Sequence, residues 1–182
     1  MHRYWLFTST TYGTWLPGDR RGFVSNVGDK AGSWVRHNLP STPVDEHMEG
    51  LEGYARKNLK GKPIYLHKEQ AEIILAQLQE TAEYRKWDLL AVAIMANHFH
   101  IVVRVKGDPD PNTLLRDFKS YASRALNRKW GKPESETWWT ESGSKRKLPN
   151  EEAVRQAIEY VRNQQSALLV WIAGERGRKP PV

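Results

Sequence analysis

Apolar residues along this chain occur in short dense runs and in longer stretches where they recur every three or four positions. Residues 3–15, 89–95 and 98–105 are dense runs of aromatic, β-branched and other apolar side chains, a composition that predicts strands. Residues 67–87 instead have an apolar repeat close to the helical period, which predicts an amphipathic helix. The repeating positions are Ala71, Ile74, Leu75, Leu78 and Ala82.

Local signals predict two further helices and one more strand. Asp110 is a capping residue followed by a proline, which predicts a helix from there to about Trp130. Asn150 similarly begins a helix over residues 150–165, with acidic residues in its first turn, where they favour the helix dipole. Residues 137–148 are predicted to form a strand or the edge of a hairpin.

The resulting order of strand, helix, strand, strand, helix, strand predicts an α+β fold of ferredoxin-like or RRM-like type. Its antiparallel sheet would have helices on one face. Residues 17–63 would form a long irregular insertion after the first strand, because Gly, Pro, Asn and charged residues dominate them, as is typical of loops. An added C-terminal helix and a polar tail over 166–182 complete one predicted domain, which spans residues 1–182.

The charge balance narrows the class of partner. Lys and Arg number 28 against 21 Asp and Glu, a net charge of +7, and this excess favours a polyanion, either nucleic acid or an anionic membrane. No apolar run approaches the ~20 residues of a membrane span, and the N-terminal apolar patch is too short for a signal peptide. We therefore expect a soluble cytoplasmic protein. The chain has no cysteine, so a metal would need histidine, carboxylate or amide ligands.

Positive residues concentrate in the helix predicted after Asp110. Six of them and a single acidic residue fall within residues 116–132, which makes this a candidate phosphate-binding surface. With the turn at 142–148, the residues expected to contact DNA phosphates are Arg116, Lys119, Arg124, Lys145, Arg146 and Lys147. Solvated surface is the alternative for each of them. Trp138 and Trp139 would alternate faces in a strand, so at most one would be buried and the other could stack on a base. Packing is the alternative for both, and the one we favour.

Two histidines in the most β-prone run are the candidates for metal chemistry. Side chains alternate across a strand, so Phe99 and Ile101 should face the core while His98 and His100 share the other face. Imidazoles two residues apart on a rigid strand can bind one cation. The spacing alone leaves open that both are partly exposed sheet residues with hydrogen-bonded tips.

A tyrosine in the last predicted helix is the candidate nucleophile. Tyr160 and Gln164 are four residues apart, which would place a phenol and an amide on the same helical face. Packing at the edge of the apolar stripe is the alternative for Tyr160. Tyr121 is the competing tyrosine, but its neighbours one turn away are Phe118 and Ala125, which favours a core position.

Together these segments resemble the HUH single-tyrosine transposases, which include small insertion-sequence transposases and REP-associated tyrosine transposases. MANHFHIVV is similar to the family's strand with two histidines, and YVRNQ to its helix with the tyrosine and a polar ligand four residues later. YGTWLPGD and FKSYASRALN are similar to segments of the REP-associated branch. The resemblance extends from about residue 3 to 165. It implies metal ligation by His98, His100 and Gln164 and nucleophilic attack by Tyr160.

The resemblance also implies an activity and its partners. Such enzymes cleave and rejoin single-stranded DNA near hairpins through a 5′-phosphotyrosine intermediate, with a divalent metal, here Mg²⁺ or Mn²⁺. Small members of the family work as dimers, so a homodimer is expected, in the bacterial cytoplasm and on the nucleoid when bound to DNA.

Two alternatives stay open. One is a non-catalytic RRM-like nucleic-acid-binding domain, although histidines then stand where stacking rings would be wanted. The other keeps the chemistry in a domesticated nickase that acts on repeated genomic hairpins, or in a replication or relaxase-type nickase. Relaxases commonly use a three-histidine cluster, which this chain lacks.

Overall fold

A computed structural model describes residues 1–21 and 47–175. The part of the predicted insertion between these ranges, and the last seven residues of the predicted tail, lie outside the described residues. The elements in chain order are β1 (His2–Thr10), α1 (Glu49–Lys57), α2 (Lys68–Arg85), β2 (Asp88–Ile94), β3 (His98–Lys106), α3 (Pro111–Trp130), β4 (Ser144–Leu148), α4 (Glu151–Arg162) and β5 (Leu169–Ile172).

The five strands form one antiparallel sheet in the order β4-β1-β3-β2-β5. The strand β3 therefore lies at the centre, paired with β1 on one side and β2 on the other. This α+β architecture, with its antiparallel sheet, confirms the predicted class. The predicted order of alternating strands and helices from β1 to β4 is also present, with α1 as an additional element.

Helices cover both faces of the sheet, but unequally. On one face, α2 and α3 enclose the larger core, in which Phe7, Phe99 and Phe118 are fully buried. On the other face, α4 packs its Ala157 and Val161 against a smaller apolar cluster. Since α4 covers only part of this second face, the polar side chains of β1 and β3 there remain available to each other and to solvent.

Capping residues fix where α3 and α4 begin. The Asp110 carboxylate accepts a hydrogen bond from the backbone N–H of Asn112, ahead of a proline in the first turn of α3. The side-chain oxygen of Asn150 accepts one from the backbone N–H of Ala153 at the start of α4. Such caps satisfy donors that a helix end leaves unpaired. Both predicted helix starts are thereby confirmed.

The predicted insertion contains a helix, which the sequence analysis did not anticipate. Glu49–Lys57 forms α1 although none of its residues is buried. Gly18 makes this possible, because a side chain at that position would come within 2.5 Å of the backbone of Met48 and Glu52. Its carbonyl accepts a hydrogen bond from the N–H of Met48. This tertiary contact, rather than local propensity, supports the helix.

The C-terminal prediction is wrong in two respects. The last helix ends at Arg162 instead of continuing to residue 165, and the segment assigned to a tail contains β5, which pairs with β2 at the sheet edge. Ser166 adopts a positive φ of 61° between them, a conformation incompatible with a continuing helix. The strand predicted over 137–148 is likewise shorter and comprises only Ser144–Leu148.

None of the helices in the described ranges has the length and apolar character that crossing a membrane requires.

Candidate active site

The two histidines lie side by side on the sheet face that α4 partly covers. Phe99 and Ile101 are fully buried in the opposite core, so the predicted alternation along β3 is confirmed. The rings of His98 and His100 are 4.9 Å apart between centroids and nearly perpendicular. His100 is buried and His98 is partly exposed. The two histidines therefore form a polar patch at the centre of this sheet face, and the patch is open to solvent on the His98 side.

Both imidazoles are held through the same ring nitrogen. Nδ1 of His100 lies 2.7 Å from Oγ1 of Thr8, its cross-strand partner in β1. Nδ1 of His98 lies 2.7 Å from Oδ1 of Asn97. This leaves Nε2 on each ring for another partner. Metal-binding histidines commonly have one ring nitrogen on the ion and the other bonded to a supporting oxygen in this way.

The segment after β1 fixes the position of Asn97. Its backbone carbonyl accepts hydrogen bonds from the N–H and the hydroxyl of Thr11, at 2.9 Å and 3.1 Å, and from the hydroxyl of Thr14 at 3.2 Å. Gly13 between them has a positive φ of 72°, which glycine adopts without strain. The YGTW segment therefore ties the β2–β3 turn, and with it His98, to the end of β1.

Burial keeps both imidazoles neutral. Desolvation, reinforced by the neighbouring His98, lowers the pKa of His100 to about 4. Desolvation and the positive charge of Arg21 also lower the pKa of His98. A neutral imidazole is the form that binds a metal. The site is therefore ready to accept a cation at neutral pH without first losing a proton.

Tyr160 reaches the same site from α4. Its hydroxyl oxygen lies 3.3 Å from Nε2 of His100, and the two rings are 5.0 Å apart between centroids. Ala157 and Val161 anchor α4 in the small core on either side of it, while Tyr160 itself is 50% exposed. The phenol thus has one side on the imidazole and the other in solvent, where a large substrate could approach.

Gln164 lies near this cluster but outside the helix. Its side-chain amide nitrogen donates a 3.0 Å hydrogen bond to the backbone carbonyl of Tyr160, and it has no hydrogen bond to a histidine of the described ranges. Because α4 ends at Arg162, the assumption that Gln164 shares a helical face with Tyr160 is wrong, although the bond keeps it beside that residue. Within the described residues, no three His, Cys, Asp or Glu side chains cluster as a metal site. A metal here would therefore need an amide oxygen or solvent beyond the two imidazoles.

Tyr121 is far from this arrangement. It belongs to α3, which packs on the opposite face of the sheet, and the guanidinium of Arg124 lies over its ring at 5.0 Å. Its neighbours in the adjoining groove include Gln77 and Tyr84 of α2. Only Tyr160, of the two tyrosines compared, contacts a histidine of the pair.

The six predicted DNA-contacting residues do not form one surface. Arg116, Lys119 and Lys145 line a groove of about 480 Å³ between α3 and the segment that leads into β4. In β4, side chains alternate, and Arg146 pairs with Leu6 while Lys147 pairs with Trp5. Arg146 therefore lies on the histidine face and Lys147 on the opposite one. Arg124 is exposed and stacks on Tyr121.

Lys119 has a structural partner set. Its ammonium donates to the backbone carbonyls of Thr140, Glu141 and Ser142, and desolvation with the nearby Lys145 lowers its pKa to about 8. All three ammonium donors are thus engaged with one loop. That use of Lys119 was not anticipated from the sequence, which shows only a lysine in a basic helix.

Both tryptophans of the 137–139 segment are buried, so the packing that we favoured is confirmed, and the strand that would have exposed one of them is not formed there. Neither lies in a regular strand, and their side chains need not alternate. The indole N–H of Trp138 donates to Oδ1 of Asn127 at 2.8 Å. That of Trp139 donates to the hydroxyl of Ser123 at 2.9 Å. Their role is to fasten this segment to α3.

A second groove adjoins the site on the side of Asn97. Its volume is about 640 Å³, and its lining includes Arg20, Arg21 and Tyr65. Arg21 is held by the carboxylate of Asp19 and donates to the carbonyl of Thr14 at 2.7 Å. The hydrogen bond from the Arg21 guanidinium lowers the pKa of Asp19 to about 2. Sequence analysis did not single out Arg21, because no periodic pattern marks a loop residue of this kind.

Comparison with known proteins gives one family and several solved structures. The model of the family described as "Transposase IS200 like" matches residues 59–164, the part that contains both histidines, Tyr160 and Gln164. No curated protein matches the chain. Among solved structures, a REP-associated tyrosine transposase bound to a REP hairpin is 14% identical, with a TM-score of 0.47, over 87% of this chain and 63% of that one. A candidate transposase from Deinococcus radiodurans R1 is 15% identical, with a TM-score of 0.46, over 92% of both chains.

Proposed function

The chain belongs to the IS200-like transposase family, and from this premise we propose that it is a metal-dependent transposase that nicks and rejoins single-stranded DNA at hairpins. Tyr160 is the nucleophile in this proposal, and His98, His100 and Gln164 are the metal ligands. One domain comprising residues 1–182 carries the activity.

The observation that carries the proposal is the contact between Tyr160 and His100. The phenol oxygen lies 3.3 Å from Nε2, the nitrogen that the bond from Thr8 to Nδ1 leaves available. In the proposal, a nucleophile and a metal-ligating atom thus meet at one point on the sheet face that α4 partly covers.

The donor set suits a divalent cation. Two neutral imidazoles and an amide oxygen add no charge, so a bound ion keeps its full charge for a phosphate, and such ligands suit Mn²⁺ as well as Mg²⁺. When bound, the ion would supply Lewis-acid polarisation of the scissile phosphate. The two lowered histidine pKa values keep protons from competing for the same nitrogens.

Tyr160 performs the covalent step. Its phenol oxygen attacks the phosphorus of one phosphodiester, and a bond from that oxygen to phosphorus forms as the bond to the 3′ oxygen breaks. The phenol proton passes to solvent, to which the side chain is open, and the departing 3′ oxygen takes a proton from water. The product is a 5′-phosphotyrosine and a free 3′-hydroxyl. Attack by a 3′-hydroxyl on the same phosphorus reverses the step and rejoins the strand.

Backbone contacts with the DNA would come from the exposed basic residues. Arg116 and Lys145 line the groove beside α3. Arg146 and Lys147 lie on opposite faces of the edge strand β4, and Arg124 lies on α3. Phosphate contacts of this kind position a nucleic acid without reading its sequence. Lys119 would contribute by shaping the groove. We further propose a homodimer that acts in the bacterial cytoplasm, on the nucleoid.

A denaturing gel with end-labelled single-stranded DNA from the flanks of the gene tests this function. With Mn²⁺, the wild-type protein should form a covalent adduct that migrates above free DNA. Tyr160→Phe should form none, whereas Tyr121→Phe, the matched control, should form as much as the wild type. An adduct that persists in Tyr160→Phe and disappears in Tyr121→Phe would contradict the assignment. Retained DNA binding without any adduct across a hairpin library would favour the RRM-like binding module.

A domesticated nickase that acts on repeated genomic hairpins would have the same active site. The two differ in biology rather than in chemistry. Sequencing of cells that express the protein would separate them, because only a mobile element inserts copies of its own gene at new positions.

A further inference from the structure

We propose that Thr8 is a positioning residue that fixes the ring and the tautomer of His100 so that Nε2 presents its lone pair to the site. The inference rests on the proposed metal-binding role of His100. Thr8 belongs to β1 and lies directly opposite His100 in the sheet. Its hydroxyl oxygen is 2.7 Å from Nδ1.

The hydrogen bond of His98 to Asn97 shows how a supporting oxygen can fix the tautomer of an imidazole. Oδ1 of Asn97 can only accept a hydrogen bond, so Nδ1 of His98 must carry the proton in their 2.7 Å contact, and Nε2 of that ring is left with a lone pair. His100 has the same arrangement with a hydroxyl in place of the amide. Two supporting oxygens, from two different elements, therefore hold the same nitrogen on both rings.

The hydroxyl of Thr8 is suited to this role by its surroundings. Among the residues that the structure describes, its one hydrogen-bond partner is His100, although a hydroxyl can donate as well as accept. With the proton on Nδ1, Thr8 accepts, and Nε2 is the acceptor for the Tyr160 hydroxyl at 3.3 Å. With the proton on Nε2, the lone pair would point at Thr8 and away from the site. In the proposal Thr8 accepts from Nδ1–H, which leaves Nε2 of His100 to ligate a cation or to accept from the phenol.

Thr10 offers a matched control on the same strand and face. It lies opposite His98, but its hydroxyl pairs with that of Thr140 at 2.7 Å, and in the described part of the chain it has no hydrogen bond to either imidazole. Replacement of either threonine by valine keeps the branched shape that strands favour and removes only the hydroxyl. Thr8→Ser restores the hydroxyl without the methyl group.

Imidazole nitrogen NMR of the protein without added metal or DNA reads the tautomer directly. At a pH of about 8, above the ordinary histidine pKa of ~6.5, wild type, Thr8→Ser and Thr10→Val should show His100 protonated at Nδ1. Thr8→Val should show a mixture or the Nε2–H form. An unchanged His100 spectrum in folded Thr8→Val would overturn the proposal.

Calorimetric titration with MnCl₂ gives the functional consequence. Loss of a supporting oxygen typically weakens metal binding by about 10- to 100-fold, and Thr8→Val should show this while Thr8→Ser and Thr10→Val match the wild type. Equal weakening in Thr10→Val would mean that sheet distortion, not the bond to His100, is responsible, and would overturn the proposal. If the wild type shows the Nδ1–H tautomer but binds no Mn²⁺, the proposed metal-dependent function fails while the tautomer control by Thr8 stands.

Discussion

Phe99 and His100 are neighbours in β3, but their side chains lie on opposite faces of the sheet and pack differently. Phe99 is fully buried in the large core under α2 and α3, whereas His100 lies on the face that α4 only partly covers. The first face is closed by two long helices and contains the apolar residues that hold the sheet together. The second places two imidazoles and a phenol within contact distance. One strand can thus serve stability and chemistry separately, because its side chains alternate.

The largest effect should follow from removal of a proposed metal ligand on the face that α4 only partly covers, called the open face below. His100→Ala should lower metal-dependent DNA cleavage by at least about 10²-fold, as loss of one preorganised electrostatic group does. The fold and DNA binding should be largely kept, because the proposed phosphate contacts lie elsewhere. Cleavage and retardation gels on the same preparations measure both. Undiminished cleavage by this variant and by His98→Ala would remove the metal assignment.

The adjacent residue should give the opposite result. Phe99→Ala leaves a cavity in the closed core, where Phe99 packs edge to face on Trp139 at 5.1 Å between centroids, and should cost about 3–5 kcal/mol of unfolding free energy. Urea denaturation measures it, with Tyr84→Ala at a 77% exposed position of α2 as the control. A loss under about 1 kcal/mol would be that of a surface substitution and would contradict the separation of the two faces.

The open face should also make stability depend on pH. His100 has a folded pKa of about 4, below its unfolded value, so the unfolded chain binds more protons between the two pKa values. Stability should therefore be complete above about pH 6.5 and fall by a few kcal/mol at most as pH drops towards 4. Thermal unfolding across this range, without added metal, should show a slope that is reduced in His100→Asn. Equal slopes in the two proteins would contradict the burial of a neutral imidazole.

Lys119 and Arg116 line the same groove, but we expect the first to stabilise the fold and the second to bind DNA. Lys119→Met removes three hydrogen bonds to the 140–142 loop and should cost about 1–3 kcal/mol of stability, because hydrogen bonds from a charged donor are lost. Arg116→Ala, at an exposed position, should leave stability unchanged and weaken DNA binding, with the salt slope reduced by about 1. Denaturation and salt-dependent binding measure the two effects. A large stability loss in Arg116→Ala would show that the groove is not divided in this way.

The smallest effect distinguishes the faces at the sheet edge. Arg146 lies on the histidine face of β4 and Lys147 on the other. If the DNA strand crosses the open face, Arg146→Ala should weaken single-strand binding by about 1 kcal/mol, in line with one phosphate contact, and Lys147→Ala by less. Fluorescence anisotropy with a short oligonucleotide measures both. A larger loss in Lys147→Ala than in Arg146→Ala would place the DNA strand on the face that α2 and α3 cover.

Periodicity predicted the elements whose signal is local. The strand with the histidines, the helices begun by Asp110 and Asn150, and the alternation that separates Phe99 from His100 all follow from spacing and capping. They are present in the structure because burial of one face enforces the same pattern.

Tertiary contacts determined what sequence analysis missed. The close approach at Gly18 supports α1, and pairing with β2 makes a strand of a short apolar segment near the C-terminus. Thr8 became relevant only with the β1–β3 register, which no local pattern encodes. Lys119 was predicted to contact DNA because composition cannot distinguish a basic side chain in solvent from one that fastens a loop.

Mass spectrometry of the covalent adduct would identify the nucleophilic residue itself. The wild-type protein would be incubated with Mn²⁺ and hairpin-containing single-stranded DNA, then digested with nuclease and protease. The account predicts a nucleotide joined through its 5′ phosphate to the peptide that contains Tyr160. A nucleotide on Tyr121, or on any residue away from His98 and His100, would contradict it.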